Sequence, residues 1–390
     1  MAVTPSLDSQ TLVRSAVAAL QRGNPREARR LIEQVTATGR ASVETWLVQG
    51  LACKAMGDMA AVEQVADAIL GLQQNNLRGL LLKGDGRAAA GDRRAAASFY
   101  QFAVGRAQGT QLAPDVVREL NAAVAYCADA TDAYRDYLDN WLADAGGCIS
   151  GRFAQSLDLL LGKKEVYFQQ PTVYYFPGLP QIQFYEREQF DWVGAIEAQT
   201  DVIRQELEGL LTTEEGFSPY VVAEHNRPAA DFHGLNDNPK WSALHLYQKG
   251  VPVAENIARA PLTFEALQLA PLCHCAKRTP SLMFSLLRGG AKIPPHTGML
   301  NTRLICHLPL IVPRGCGFRV GNEVREWEVG KLLIFDDSIE HEAWNDSDED
   351  RVILLFDIWR PELSDDERAA VTAIFEGIDA YGIQADQAGA

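Results

Sequence analysis

Along the first hundred residues, apolar and small positions return at a fixed step of 34. Gly23, Gly57 and Gly91 keep that step, as do Leu12, Trp46 and Leu80, and Ala16, Gly50 and Gly84. After each glycine come Ala28, Val62 and Ala96, then Ile32, Ala66 and Tyr100. The period predicts stacked helical hairpins: a large apolar residue opens each unit, small residues sit where helices touch, and the glycine ends the first helix. Apolar residues keep helical spacing through 114–145, which predicts further capping or linking helices. Near residue 165 the pattern changes. "YFQQPTVYYFPGLPQIQFYEREQFDW" carries too much proline for a long helix, and a domain boundary is expected here. "AIEAQTDVIRQELEGLL", residues 195–211, reads as an amphipathic helix. Beyond about residue 218 the apolar runs are short: "SALHLYQ", "SLMFSLL", "TRLICHLPLIV", "FRV", "REWEV", "KLLIF" and "RVILLFDIW". Short strands between Gly/Pro turns predict a sandwich or jelly roll. A closing helix is expected from "SDDE", where Ser364 and Glu367 form a capping box.

The 34-residue period with these small and large positions resembles tetratricopeptide repeats. The expected fold class is therefore multidomain, an all-α repeat array followed by a sandwich or jelly-roll domain with flanking helices, which the resemblance given below narrows to a double-stranded β-helix (jelly roll). The expected division is 1–110 for the repeats, 111–164 for capping or linking helices, and 165–390 for the jelly roll. Repeat arrays of this kind expose a concave groove that commonly holds peptides or proteins, so the array is expected either to bind a polypeptide partner or to pack on the rest of the chain or on a second copy.

Composition narrows the function classes. The 390 residues carry a net charge of −15, which argues against nucleic acid, since phosphate binding needs a basic surface. Residues 1–110 hold 13 Lys+Arg against 9 Asp+Glu, and the remainder holds 23 against 42. The split reads either as two separately solvated domains or as an N-terminal part that attracts an acidic partner. No apolar run approaches the ~18 residues of a membrane helix. "MAVTPSLDSQ" lacks a basic-then-apolar signal, and seven scattered cysteines do not form a disulfide framework. A cytoplasmic, membrane-free protein is expected.

The candidate chemistry lies in the last third. Strand alternation puts Arg303, Ile305 and His307 on one face of "NTRLICHLPL", and Arg351, Ile353, Leu355 and Asp357 on one face of "RVILLFDIW". An arginine pointing among apolar side chains needs an anion, either a protein carboxylate or a bound dicarboxylate. Taken singly, His225, His233, His245 and His274 read as ordinary structural residues. "CHC" at 273–275 is too compact to close a tetrahedral zinc site. The combination of His296, Arg303, His307, His341 and Arg351, in that order and spacing, is more specific.

At "HTGMLNTRLICHLPLIVPRGC", "WEVGKLLIFDDSIEHEAWN" and "RVILLFDIWRPELS" the chain resembles the aspartyl/asparaginyl β-hydroxylase family, a branch of the iron- and 2-oxoglutarate-dependent oxygenases. The likeness runs over roughly residues 165–375. It implies His296 and His341 as ligands of Fe(II), and Arg351 and Ser285 as receptors of the 2-oxoglutarate carboxylate, with His307 and Trp241 lining that pocket. Jelly-roll iron enzymes usually place a carboxylate ligand two residues after the first histidine. Here that slot is Gly298, and the family dispenses with the carboxylate, so iron would be held by two protein ligands unless a distant carboxylate completes the site. Asp336 and Asp337 are expected to orient the ligands or to serve turn roles. Members of the animal type carry a second basic residue where this chain has Ile305, and Arg303 on the same face is the expected substitute. The implied reaction consumes 2-oxoglutarate and O2 and hydroxylates a carbon, by family precedent the β-carbon of Asp or Asn in a peptide or protein captured by the repeats. Two other readings stand beside it: hydroxylation of lipid acyl chains, as in some relatives, and a non-catalytic repeat scaffold with a degenerate jelly roll.

Overall fold

The computed structural model describes residues 8–387 except 40, 145–150, 214, 223–233 and 276. His225 and His233 lie outside the described residues. The chain divides into two compact units, residues 1–161 and 162–390.

The first unit is helical throughout: α1 (Ser9–Gln21), α2 (Pro25–Thr36), α3 (Val43–Ala55), α4 (Met59–Leu72), α5 (Leu77–Ala89), α6 (Arg93–Ala107), α7 (Pro114–Asp144) and α8 (Gly151–Leu160). Gly23, Gly57 and Gly91 close the first helix of each hairpin at φ of 75°, 75° and 78°, a region that costs a side chain strain. The next residue in each case, Asn24, Asp58 or Asp92, caps the second helix by accepting the N–H three positions on. This Gly-Asx pair recurs with the repeat. Ala28, Val62 and Ala96 are fully buried between helices, as the period requires. A Cβ on Gly84 would collide with the ring of Tyr100, whose hydroxyl donates to Asp85. Gly71, inside α4, has open space around it. Gly84→Ala should therefore lower the melting temperature of the helical unit. Gly71→Ala should raise it slightly, by the ~1 kcal/mol that separates the two residues in a helix. Thermal melts followed by far-UV circular dichroism check both.

The second unit is built on two antiparallel sheets. Its strands are β1 (Phe184–Tyr185), β2 (Ser218–Pro219), β3 (Trp241–Gln248), β4 (Val251–Pro252), β5 (Leu282–Leu287), β6 (Lys292–His296), β7 (Arg303–Ile311), β8 (Cys316–Val320), β9 (Glu323–Arg325), β10 (Leu333–Phe335), β11 (His341–Asn345) and β12 (Arg351–Trp359). The larger sheet has the order β1-β10-β7-β12-β5-β3-β2, with β4 paired to β3, and the smaller has the order β6-β11-β8-β9. Alternation along β7 and β12 separates two cores. Leu304, Cys306 and Leu308, with Val352, Leu354, Phe356 and Ile358, pack with Ile203, Leu207 and Leu210 of the helix over Thr200–Leu211 in one apolar cluster. Arg303, Ile305, His307, Arg351, Ile353 and Leu355 face the opposite way and line a cavity of ≈ 230 Å³. That is the jelly-roll architecture the strand pattern predicts.

Several local expectations are corrected. The single helix expected over 195–211 is two, α9 (Val193–Glu197) and α10 (Thr200–Leu211). Between them the Thr200 hydroxyl donates to the Glu197 carbonyl, and the Glu197 carboxylate turns away to accept from Arg187 and the Leu332 N–H. Short helices α11 (Ala254–Arg259) and α12 (Pro261–Leu267) follow β4, and α13 (Asp365–Gln387) closes the unit. The capping box at its start is formed: the Ser364 N–H donates to Glu367, and the Glu367 N–H donates to Ser364 Oγ. "REWEV" is not one strand. Pairing stops at Arg325, and Trp327 turns inward to pack against Phe318 and over Arg351.

Candidate active site

The cavity sits between the sheets. His296 ends β6 and His341 begins β11, and the two are register partners. Their ring centroids are 4.2 Å apart. His296 Nδ1 lies 2.8 Å from the Pro294 carbonyl, and His341 Nδ1 lies 3.0 Å from the Ile339 carbonyl. A carbonyl only accepts, so each Nδ1 carries the proton and each Nε2 keeps its lone pair. Burial lowers the pKa of both rings, His341 far below the ordinary value, and proximity to His296 lowers His341 further. The pair is therefore neutral and basic at Nε2, the form that binds a divalent metal. Among the described residues no third His, Cys, Asp or Glu joins them as a metal-holding group.

Gly298 answers for its own position. Its N–H donates to the Asp337 carbonyl at 2.6 Å, and a Cβ added to it would overlap the Asp337 carboxylate. The slot where a ligating carboxylate would begin is filled by Asp337. That carboxylate accepts from Arg303 at 3.0 Å through Oδ2, while its Oδ1 is buried without a partner. Burial, the first cause, pushes Asp337 up to about 6, opposed by Arg303.

Arg351 is the second unusual group. It is 1% exposed, and its Nε and one Nη are buried with no hydrogen-bond partner. The guanidinium lies 4.8 Å from the centroid of Trp327. Burial lowers its pKa to about 10. Ser285 is register partner to Ile353, on the strand beside Arg351, and its hydroxyl accepts from Trp241 Nε1 at 3.3 Å. His307 stands against Phe318 and Phe335 at 5.1 and 4.8 Å between ring centroids. Burial, then the charge of Arg351, holds it far below its ordinary pKa. Trp241, Ser285, His296, Arg303, His307, His341 and Arg351 thus line one cavity.

Arg303 differs from the expectation that it replaces the base missing at Ile305. It is bound by two carboxylates, Asp337 and Asp357. Its charge is already balanced, so unlike Arg351 it is not a waiting anion receptor. Ile305 contributes only an apolar wall. Sequence reading missed Tyr220 and Trp327, which complete the lining. Nothing in their spacing announced it, although the Trp327 segment was among the stretches of resemblance. The "CHC" run forms no cluster: Cys273 and Cys275 are buried, with Thr279 donating to Cys273, while His274 points to solvent. His245 is half buried and stacks on Tyr220.

These histidines set a pH response. His245, His296, His307 and His341 are all lowered in the fold, so the unfolded chain binds more protons below its ordinary histidine pKa near 6.5. Stability of the metal-free unit should fall as pH drops from 7 to 6. Asp337, raised to about 6, opposes this only toward the lower end. A melting temperature that rises on acidification over that interval would contradict the assignment.

Comparison with known proteins shows what this jelly roll, with its paired imidazoles and unpaired internal arginine, is similar to. A family model described as aspartyl/asparaginyl β-hydroxylase matches residues 197–361, a stretch that lies within the second unit. The aspartyl/asparaginyl β-hydroxylase of Mus musculus is 35% identical over 184 residues, 47% of this chain and 23% of the mouse protein. The ornithine lipid ester-linked acyl 2-hydroxylase of Rhizobium tropici is 35% identical over 180 residues, 45% of this chain and 60% of that protein. The chain thus spans under a quarter of the mouse relative's length and about three fifths of the bacterial one's. Among solved structures, a prolyl-4-hydroxylase from Pseudomonas putida matches at 14% identity and TM-score 0.26, over 43% of this chain and 99% of that one. Among the described residues no helix is long and apolar enough to cross a membrane.

Proposed function

We propose that the second unit is an Fe(II)- and 2-oxoglutarate-dependent dioxygenase that hydroxylates a carbon, by family precedent the β-carbon of Asp or Asn, in a peptide or protein. The observation that carries this reading is Arg351, a buried guanidinium without an anion at one side of a cavity whose other side holds two Nε2 lone pairs. Leaving such a charge unpaired costs several kcal/mol, and a dicarboxylate co-substrate would restore it.

His296 and His341 would hold the metal through Nε2, their rings oriented by the Pro294 and Ile339 carbonyls. Arg351 would grip the far carboxylate of 2-oxoglutarate in bidentate fashion, with the Ser285 hydroxyl beside it. His307, kept neutral by burial, adds no competing charge. Trp241 and Trp327 exclude water along the walls. Arg303, tied to Asp337 and Asp357, positions those acids rather than the co-substrate. Iron(II) with 2-oxoglutarate and O2 supplies the oxidising power, yielding succinate and CO2 and delivering one oxygen atom to the substrate carbon. Capture of the polypeptide by the helical repeats belongs to the same proposal.

The test incubates the full chain with Fe(II), 2-oxoglutarate, O2 and candidate peptides, and reads products by mass spectrometry. The expected product is a peptide one oxygen heavier, absent with His296→Ala. Oxidation of acyl chains but of no peptide would replace the substrate class with the lipid one. Absence of Fe(II) binding, or of 2-oxoglutarate consumption, would favour a non-catalytic scaffold.

A further inference from the structure

Beside the cavity runs a segment, bent at Thr172 and Val173 and extended beyond them, that no role above uses. The Thr172 N–H donates to the Gly298 carbonyl at 2.9 Å, and the Val173 and Tyr174 N–H groups donate to the Met299 carbonyl at 3.1 Å. Tyr174 and Leu300 form a parallel bridge. Alternation then sorts the side chains. Tyr174, Phe176 and Leu300 pack inward with Cys273, Cys275, Val371 and Phe375. Val173, Tyr175 and Met299 face the other way and stay 54%, 51% and 45% exposed. Met299 and Gly298 also line the cavity. An apolar ledge therefore continues directly from the cavity wall to the surface.

The backbone of this ledge has a preference as well. Tyr174 bonds toward Met299 and Phe176 toward the Asn301 side chain, so the N–H and C=O of Tyr175 between them point to the opposite edge. Among the described residues the Tyr175 N–H has no hydrogen-bond partner. Backbone groups left open at Tyr175 beside exposed apolar side chains suit an extended polypeptide, which brings its own backbone groups, better than an acyl chain, which brings none.

We propose that residues 172–176 with Met299 form the docking edge for an extended segment of the substrate polypeptide, next to the target residue, and that they select a bulky apolar side chain there. This rests on the dioxygenase reading for the identity of the substrate.

Binding tests it without turnover. Fluorescein-labelled dodecapeptides with one central Asn, carrying either Leu or Ser at the positions flanking it, are titrated with the metal-free full chain and read by anisotropy. The Leu series should bind at least tenfold more tightly. Tyr175→Ser and Val173→Ser, both at exposed positions, should remove most of that difference while the melting temperature holds. Backbone N-methylation of the flanking residues should weaken the Leu peptide comparably. Equal binding of the two series, or preference unchanged in both variants, would overturn the ledge. So would displacement of the Leu peptide by acyl-chain micelles but by no unlabelled peptide. A ledge that binds as expected in a protein that consumes no 2-oxoglutarate would instead sink the dioxygenase reading and leave the docking edge standing.

Discussion

Replacing Arg351 with methionine should raise the melting temperature of the ligand-free protein, and should abolish the further rise that 2-oxoglutarate gives the unaltered chain. The two effects have one cause. The guanidinium is fully enclosed, its Nε and one Nη have no partner, and burial lowers its pKa from the ordinary arginine value to about 10. A shift of that size corresponds to roughly 3 kcal/mol of disfavoured charge in the folded state. Methionine fills similar volume without the charge, so the empty fold gains. The dicarboxylate then finds no counter-ion, and stabilisation by mass action, about 2.7 kcal/mol at a hundredfold excess over Kd, disappears. Arg351→Lys separates charge from geometry: it keeps a cation but loses the planar fork, and should retain only a small part of the ligand-induced rise. The readout is differential scanning fluorimetry with and without 2-oxoglutarate and Mn(II). An Arg351→Met protein that is less stable than the parent, or that still responds fully to 2-oxoglutarate, would show that the arginine serves the fold instead.

Two walls of this site were legible from spacing, by the two-residue period of a strand, whereas His296, His341, Ser285 and Trp241 were implied only by the family resemblance. Once 303–307 and 351–357 are strands, alternation forces Arg303, Ile305 and His307 inward together, and Arg351, Ile353 and Leu355 opposite them. The helical repeats were legible for a similar reason, since a step of 34 repeats the same contact at Ala28, Val62 and Ala96. What escaped was chemistry decided by tertiary partners. No local rule says that Arg303 will find both Asp337 and Asp357, one on a turn and one on a neighbouring strand, and so lose its availability. Nor does any rule turn Trp327 out of a strand-like run to cover Arg351. The break between α9 and α10 depends on Glu197, drawn off by Arg187 and the Leu332 N–H from distant segments.

The glycine at 298 should be intolerant of even a methyl group, for a reason distinct from backbone conformation. Its φ is not in the left-handed region; the constraint is the Asp337 carboxylate lying where Cβ would go. Gly298→Ala must push that carboxylate aside, and Asp337 cannot move freely, because its Oδ2 is bound to Arg303 and its backbone carbonyl to the Gly298 N–H. Breaking the buried pair leaves an uncompensated charge, which costs about 3–5 kcal/mol. The loss should appear in tryptophan fluorescence on heating, since Trp192, Trp241, Trp327, Trp344 and Trp359 all belong to the second unit. The explanation makes a further demand. In an Asp337→Gly background the obstruction is gone, so adding Gly298→Ala should cost far less than it does alone, a coupling of 2 kcal/mol or more in a double-mutant cycle, on the order expected for contacting residues. Strictly additive losses would mean that the collision with Asp337 is not what keeps a side chain, and with it a third ligand, out of this position.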